Sequence, residues 1–387
     1  MSLCILIAPS GFKESLDATD AALAIERGVL AALPGAAVRR LPVVDGGEGF
    51  TRAVADAARG EVRPVTVTGP MGQPVAASIG LISDGDGLTG VLEMAAAAGL
   101  RLVPRDRRDP GETTTRGVGE LIGACLDAGV DRILVGCGDS GTNDGGAGMA
   151  SALGARFLDA AGREVPDGGA HLGRVERVDL GGLDPRLATV DVEVACNPHN
   201  VLCGPAGVAR VFGPQKGASP EQVEALAAGL DRYAALVEST VGVAVADVTG
   251  GGASGGLGAG LLAFCRARLR PRFEVVSRYC DLDGGVAEAD LVITAEGSLD
   301  HQTPQGKVPA EVARRAVAAG VPCIALAGTV GRGARAVHGC GVDAYAGILR
   351  GPCDLSRAID RAEDWLADAA EEAVRMLLVG QRLGHAA

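Results

Sequence analysis

The sequence predicts an α/β protein in which one parallel-sheet domain is interrupted by a second α/β domain. Three observations predict it. Short apolar runs alternate with amphipathic helical patterns at both ends of the chain, the mark of a parallel sheet covered on both faces. The middle breaks that alternation with strands in direct succession. At 387 residues, with 47% hydrophobic and 22% charged residues, the chain has ample material for two cores.

Taken in order, Leu3 to Ala8 reads as a buried first strand. A helix follows near 17–33, where Ile25, Val29 and Leu33 recur at helical spacing. A strand near 37–44 runs into Asp45-Gly46-Gly47-Glu48-Gly49 and a helix reaching about 59. Residues 61–95 read as strands: Val65–Val67, a Gly-Pro-Met-Gly turn, then 75–82 and 88–94. Helix 115–128, strand 132–137, helix 144–154 and strand 190–196 come next. Ser219-Pro220-Glu221-Gln222 carries a cap, a first-turn proline and a capping-box glutamine, which start a helix to about 237. Gly250-Gly251-Gly252 introduces an apolar helix near 255–268. The closing segment reads as strand 290–295, helix 308–319, strand 322–327, helix 332–339, strand 343–348 and a long amphipathic helix 355–378. Trp365, the single tryptophan, falls in that helix as packing. The domains implied are 1–66 with 273–387, and 67–272 inserted between them.

Composition excludes several classes. A net charge of −12 argues against a nucleic-acid partner, which needs a basic face. No stretch approaches the roughly 18 apolar residues of a membrane span, and the first strand is too short for a signal peptide core. The 10 cysteines form no C-x-x-C pair, so reduced thiols in a cytoplasmic protein are expected. Aromatics make up only 3%, which leaves the core to Ala, Val, Leu and Ile.

The charged residues are more telling. Only three of the 36 Lys and Arg side chains are lysine: Lys13, Lys216 and Lys307, each in a loop entering a helix. Lysine is a compact point charge on a flexible stem, suited to phosphate oxygens, and a helix start adds unpaired N–H groups. Ligands of parallel sheets gather where strands run into helices. There the chain places Lys13; Asp45 with Glu48; Asp139, Ser140, Thr142, Asn143 and Asp144; and Glu296, Asp300 and Lys307. Carboxylates beside lysines and glycine-rich backbone suit a Mg-nucleotide reaction. Asp45 and Asp144 could equally serve as helix caps.

No G-x-x-x-x-G-K-[ST] occurs. Gly136-Cys137-Gly138-Asp139-Ser140-Gly141 does fit G-x-G-x-x-G, with Asp159 near the ribose-reading distance, so a nicotinamide-dependent oxidoreductase stands as an alternative. A catalytically silent binding protein is another. His199 and His301 are the histidines worth watching, and no H-E-x-x-H or nucleophile elbow exists.

In order and spacing, these loops resemble the bacterial glycerate kinase family of the glyoxylate- and glucarate-pathway type. The matching stretches are Ala8 to Leu16, Asp45 to Gly49, Val67 to Pro70, Thr113 to Thr115, Ser140 to Gly148, Phe212 to Gly217, Gly255 to Gly258 and Glu296 to Lys307. The resemblance implies a discontinuous Rossmann-like domain with an inserted α/β domain, and transfer of the γ-phosphoryl of ATP to D-glycerate with Mg2+. It implies 2-phosphoglycerate more than 3-phosphoglycerate, with the substrates meeting between the domains. Small molecules are then the partners, and a homodimer is left open. Lys13, Asp45 and Asp144 are the expected catalytic residues; Ser140, Asn143, Lys216, Glu296, Asp300 and Lys307 are expected to bind substrate or phosphate; metal ligands are unassigned. The chain departs from the family pattern at Ser10 and Gly11, at Asn197, Pro198 and His199, and at Ala295 and Ser298. Another small hydroxy acid is therefore an alternative acceptor.

Overall fold

The computed structural model describes residues 3–12, 15–84 and 87–384. The chain divides into two compact units, one of residues 1–44 with 280–387 and one of residues 45–279.

The first unit is built on a five-stranded sheet in the order Ala344–Gly347, Cys323–Val330, Leu291–Leu299, Cys4–Ile7, Ala37–Arg40. Every pairing is parallel. Both faces of its central strands are covered, which is why Ile5-Leu6-Ile7 and Leu291-Val292-Ile293 read as continuous apolar runs. Helices Ala18–Ala32 and Ala362–Gly384 lie against one another so closely that a Cβ on Gly28 would sit 2.0 Å from the Ala367 carbonyl oxygen. Trp365 joins Ile25, Val29 and Leu366 in this core. The strand order reverses between Cys4–Ile7 and Leu291–Leu299, the switch point where open parallel sheets bind ligands.

The second unit carries a six-stranded sheet in the order Arg268–Pro271, Asp191–Cys196, Arg132–Gly136, Gly87–Glu93, Pro74–Asp84, Glu61–Thr68. Its first four strands are parallel and the last two antiparallel. Strand Glu61–Thr68 pairs along its length with Pro74–Asp84, and helix Phe50–Ala57 packs on the same sheet. The division thus falls at 44/45, where 66/67 is expected from sequence, because residues 45–66 already belong to this sheet. At the other crossing, strand Arg268–Pro271 extends the sheet and helix Arg272–Tyr279 follows it, so the division falls at 279/280 against the expected 272/273.

The capping box at Ser219 forms as the sequence implies: Ser219 Oγ accepts from the Gln222 amide and Gln222 Oε1 from the Ser219 amide. Helix Pro220–Val241 starts there. A small two-stranded antiparallel sheet of Arg156–Leu158 and Arg177–Asp179 has no counterpart in the sequence pattern, its strands being three residues each. The segment expected as helix 332–339 is a 3-10 turn over Ala334–Cys340, and the closing helix is broken at Arg361 into Leu355–Asp360 and Ala362–Gly384.

Candidate active site

In the first unit, the candidate residues stand just beyond the sheet's switch point. Strand Leu291–Leu299 carries Glu296 and Ser298 in its second half, and a 3-10 turn with Gly306 at φ +95° leads to Lys307, the N-cap of helix Val308–Ala319. Lys307 Nζ lies 3.5 Å from Glu296 Oε1 and 3.6 Å from Asp300 Oδ1, and donates to the Ser298 carbonyl at 3.2 Å. Asp300 is fixed in turn, accepting from the Gln302 amide at 2.8 Å. The half-buried ammonium thus stands at a helix start, paired with two carboxylates. Lys13 lies outside the described residues.

In the second unit, Asp45 accepts from Arg272 Nη1 at 2.9 Å. Asp139, whose backbone is left-handed at φ +52°, turns Oδ2 toward the Glu48 amide at 3.3 Å. Both carboxylates close on Gly47, where a Cβ would sit 2.1 Å from Asp139 Oδ2 and 3.3 Å from Asp45 Oδ1. Only glycine fits between them. Aspartate is one of the few non-glycine residues that enter the left-handed region readily. The loop is also anchored from below: buried Glu93 accepts from the Gly49 and Thr51 amides at the start of helix Phe50–Ala57, at 3.0 and 2.8 Å. Burial pushes the Glu93 carboxyl up, while those bonds pull against it.

Ser140, Asn143, Asp144 and Lys216 gather in one place in this unit. Lys216, only 2% exposed, donates to Ser140 Oγ at 2.8 Å and to the Thr142 carbonyl at 2.6 Å. Asp144 is fully enclosed. Its carboxylate accepts from the Thr115 amide and hydroxyl, both at 2.8 Å, and from the Gly146 and Gly148 amides at 3.2 Å. Burial raises its pKa and those donors work against the rise. Asp144, expected from sequence to be catalytic, is sealed from solvent with four donors on it and holds the start of helix Ala147–Ala152. Of the two acids, Asp45 remains exposed enough to meet a substrate.

The G-x-G-x-x-G segment does not form a dinucleotide cradle. Cβ atoms on Gly136, Gly138 and Gly141 would strike Phe50 and Gly46, Gly47, and Gly99 with Leu100 respectively. These glycines serve close packing within the unit, and the next helix begins only at Ala147. Asp159 is taken up in a tight turn by the Ala161 and Arg163 amides.

Arg272 and Glu93 are absent from the sequence-based candidates. Arg272 is one arginine among 33 and carries no local signal. Glu93 had one: an acid closing the apolar run Gly90-Val91-Leu92, where a buried carboxylate needs donors. Among the described residues, no three His, Cys, Asp or Glu side chains gather to hold a metal. Asp139 fits the sparser pattern of Mg2+, which takes one or two carboxylates and completes its shell with phosphate and water. No helix of the described residues is long and apolar enough to cross a membrane.

Known proteins match along almost the whole chain. The profile of the Glycerate kinase family covers residues 5–378. A glycerate kinase of Bacillus subtilis is 47% identical over 95% of this chain and 96% of its own length. A glycerate 2-kinase of Escherichia coli K12 is 44% identical over 98% of this chain and 99% of its own. A crystal structure from Salmonella typhimurium LT2, assigned to glycerate kinase 2, superposes with a TM-score of 0.76 at 44% identity, covering 99% of this chain and 100% of that one. With a parallel-sheet switch point carrying Lys307 and a second unit carrying Asp45, Asp139 and Lys216, the chain belongs to the glycerate kinase family.

Proposed function

We propose that this protein transfers the γ-phosphoryl group of ATP to D-glycerate, with 2-phosphoglycerate as product. The observation that carries the reading is the near full-length identity to the Escherichia coli protein named glycerate 2-kinase. In the reaction a glycerate hydroxyl oxygen bonds to the γ-phosphorus while the bond from that phosphorus to the ADP oxygen breaks. The hydroxyl proton goes to a carboxylate, a role assigned here to Asp45. Arg272 orients that carboxylate, and Glu93 fixes the loop beneath it. Lys307 is assigned to the nucleotide phosphates, held by Glu296 and Asp300 until an anion replaces them. Lys13 is assigned a second phosphate or carboxylate contact, on its sequence position alone. Mg2+, when bound, supplies neutralisation of charge on the phosphoryl oxygens, and Asp139 would hold it.

Ten free cysteines, five of them buried, support a reducing cytoplasm. A homodimer belongs to the same reading and is checked by light scattering. ADP release from Mg-ATP with D-glycerate, followed by phosphorus NMR of the product, tests the assignment. Turnover with a 2-phosphate signal is the expected result. A 3-phosphate signal corrects the product. Silence on D-glycerate with turnover on another hydroxy acid assigns the acceptor change to Asn197, Pro198, His199 or Ser298.

A further inference from the structure

The start of helix Ala253–Cys265 and the loop after strand Arg132–Gly136 press together, backbone on backbone. A Cβ on Gly255 would sit 1.9 Å from the Thr142 carbonyl oxygen, and the Gly145 amide donates to the Gly255 carbonyl at 3.0 Å. Ser254, Gly255 and Gly256 are all left-handed, with φ of 54°, 73° and 92°. For Ser254 that is strained backbone.

Buried polar atoms collect at this junction. Thr142 and Asn143 are 0% exposed, yet Thr142 Oγ1, Asn143 Oδ1 and Asn143 Nδ2 have no hydrogen-bond partner. Ser254 Oγ makes no hydrogen bond of ordinary geometry, its neighbour being the Cys137 thiol, a weak partner. Folded proteins satisfy almost all such atoms, so three on adjacent residues ask for a cause. Beside them, Lys216 Nζ is bonded to the Thr142 carbonyl and Ser140 Oγ. The place therefore combines a fixed positive charge, an amide donor, an amide acceptor and a hydroxyl able to do either.

We infer that Thr142 and Asn143 bind the hydroxy-acid substrate, Asn143 Nδ2 donating to its carboxylate and Asn143 Oδ1 accepting from one of its hydroxyls. The inference rests on the kinase reading for the identity of the acid. Fully ionised phosphate offers acceptors alone and would leave Asn143 Oδ1 unmet, whereas a hydroxy acid offers an acceptor and a donor on neighbouring carbons. The charge of Lys216 sets the sign of the site, and the loop it ties keeps Thr142 and Asn143 in place. Because solvent reaches neither residue, the acid enters by displacing one of the two packed loops; Ser254 is the half-buried member at their junction.

An unpaired buried group destabilises the free protein, so removing it has the opposite effect on stability from removing a bonded one. The test uses the full chain with Thr142→Val, which keeps the shape, and Asn143→Leu. Both are expected to melt, without ligand, at or above the wild-type temperature. The KM for D-glycerate is expected to rise at least tenfold while that for Mg-ATP stays within twofold. A lowered melting temperature for Thr142→Val overturns the inference, because the hydroxyl is then already bonded inside the protein. An unchanged glycerate KM, or a rise confined to Mg-ATP, overturns it too. Should the wild-type chain be inert on D-glycerate, the function reading fails by itself. Calorimetric titration with D-glycerate and D-lactate then decides the inference: heat of binding lost in both variants supports it, and no binding to the wild type overturns it.

Discussion

Two of the Asp-Gly-Gly tripeptides in the second unit precede α-helices, and they have opposite fates. Asp45-Gly46-Gly47 leads to helix Phe50–Ala57, and Asp144-Gly145-Gly146 to helix Ala147–Ala152; both helices have a left-handed glycine at the N-cap. Yet Asp45 is partly exposed and ion-paired to Arg272, while Asp144 is sealed under four donors. The difference teaches that the tripeptide does not decide the carboxylate's part; even the turns differ, Gly146 being left-handed and Gly47 not. What the carboxylate does is decided by residues brought in from elsewhere: Arg272, 227 positions away, for one, and Thr115, 29 positions away, for the other. A partly exposed acid can meet a ligand and take its proton. A saturated acid holds a fold.

Exchanging each acid for its amide breaks or upholds that contrast. Asp45→Asn keeps an oxygen for Arg272 but removes the proton acceptor, so kcat is expected to fall about 10^3-fold with little change in melting temperature. Asp144→Asn turns an NH2 group toward donors in a sealed site. It is expected to cost about 2–3 kcal/mol of stability, with kcat of the folded fraction falling far less. Steady-state kinetics and thermal melts on both variants check the pair. If Asp144→Asn loses catalysis while melting normally, the two acids have been assigned the wrong way round.

The lysines repeat the contrast on a smaller scale. Lys307 faces two carboxylates and is 24% exposed as a side chain, whereas Lys216 is buried and donates to Ser140 Oγ and the Thr142 carbonyl. Lys307→Met is expected to lower kcat about 10^2-fold, the scale of one electrostatic donor to a developing anion, without lowering the melting temperature. The ion pairs it gives up are partly solvated and contribute at most about 1 kcal/mol. Lys216→Met leaves buried acceptors unpaired and is expected to lower both the melting temperature and turnover, by about 2–3 kcal/mol in stability. Equal melting temperatures for the two variants would sink the distinction.

These contrasts mark how far the sequence could be read. The parallel strands were legible because Ile5-Leu6-Ile7 and Leu291-Val292-Ile293 declare burial on both faces. The Ser219 capping box was legible because all of its atoms lie within four residues. Lys216, Ser140 and Asn143 were legible as candidates through loop position and residue type. That Asn143 is sealed with its amide unpaired was not, since that depends on Gly255 and Gly169 closing on its backbone from distant segments. The assignment of residues 45–66 was misleading for a related reason: helix Phe50–Ala57 follows the first unit's grammar of strand then helix, but its partners are the strands after it. Local pattern named the elements, and long-range pairing decided which sheet received them.

Glu93 sharpens the comparison at its smallest scale, because it joins the Asp45 loop to the body of the unit by the same device that buries Asp144. Its folded pKa lies above the ordinary glutamate value of 4.5, through burial first and the charge of Glu48 last, against the pull of the Thr51 and Gly49 bonds. The folded chain therefore holds that proton more tightly than the unfolded chain. The resulting stabilisation is complete below the unfolded pKa and is lost as pH rises through the folded one. Glu93→Gln cannot titrate, so the stability gap between wild type and variant is expected to be largest in acid and to shrink as pH rises above the ordinary glutamate range. Denaturant melts across and above that range check it. A purely structural capping role would stop there. If Glu93 positions Asp45, the variant also lowers kcat several-fold at every pH while the KM for Mg-ATP stays put, and Glu93→Asp, too short to reach both amides, does the same. A Glu93→Gln enzyme with wild-type kcat would separate the cap from the catalytic loop and leave Arg272 as the group that orients Asp45.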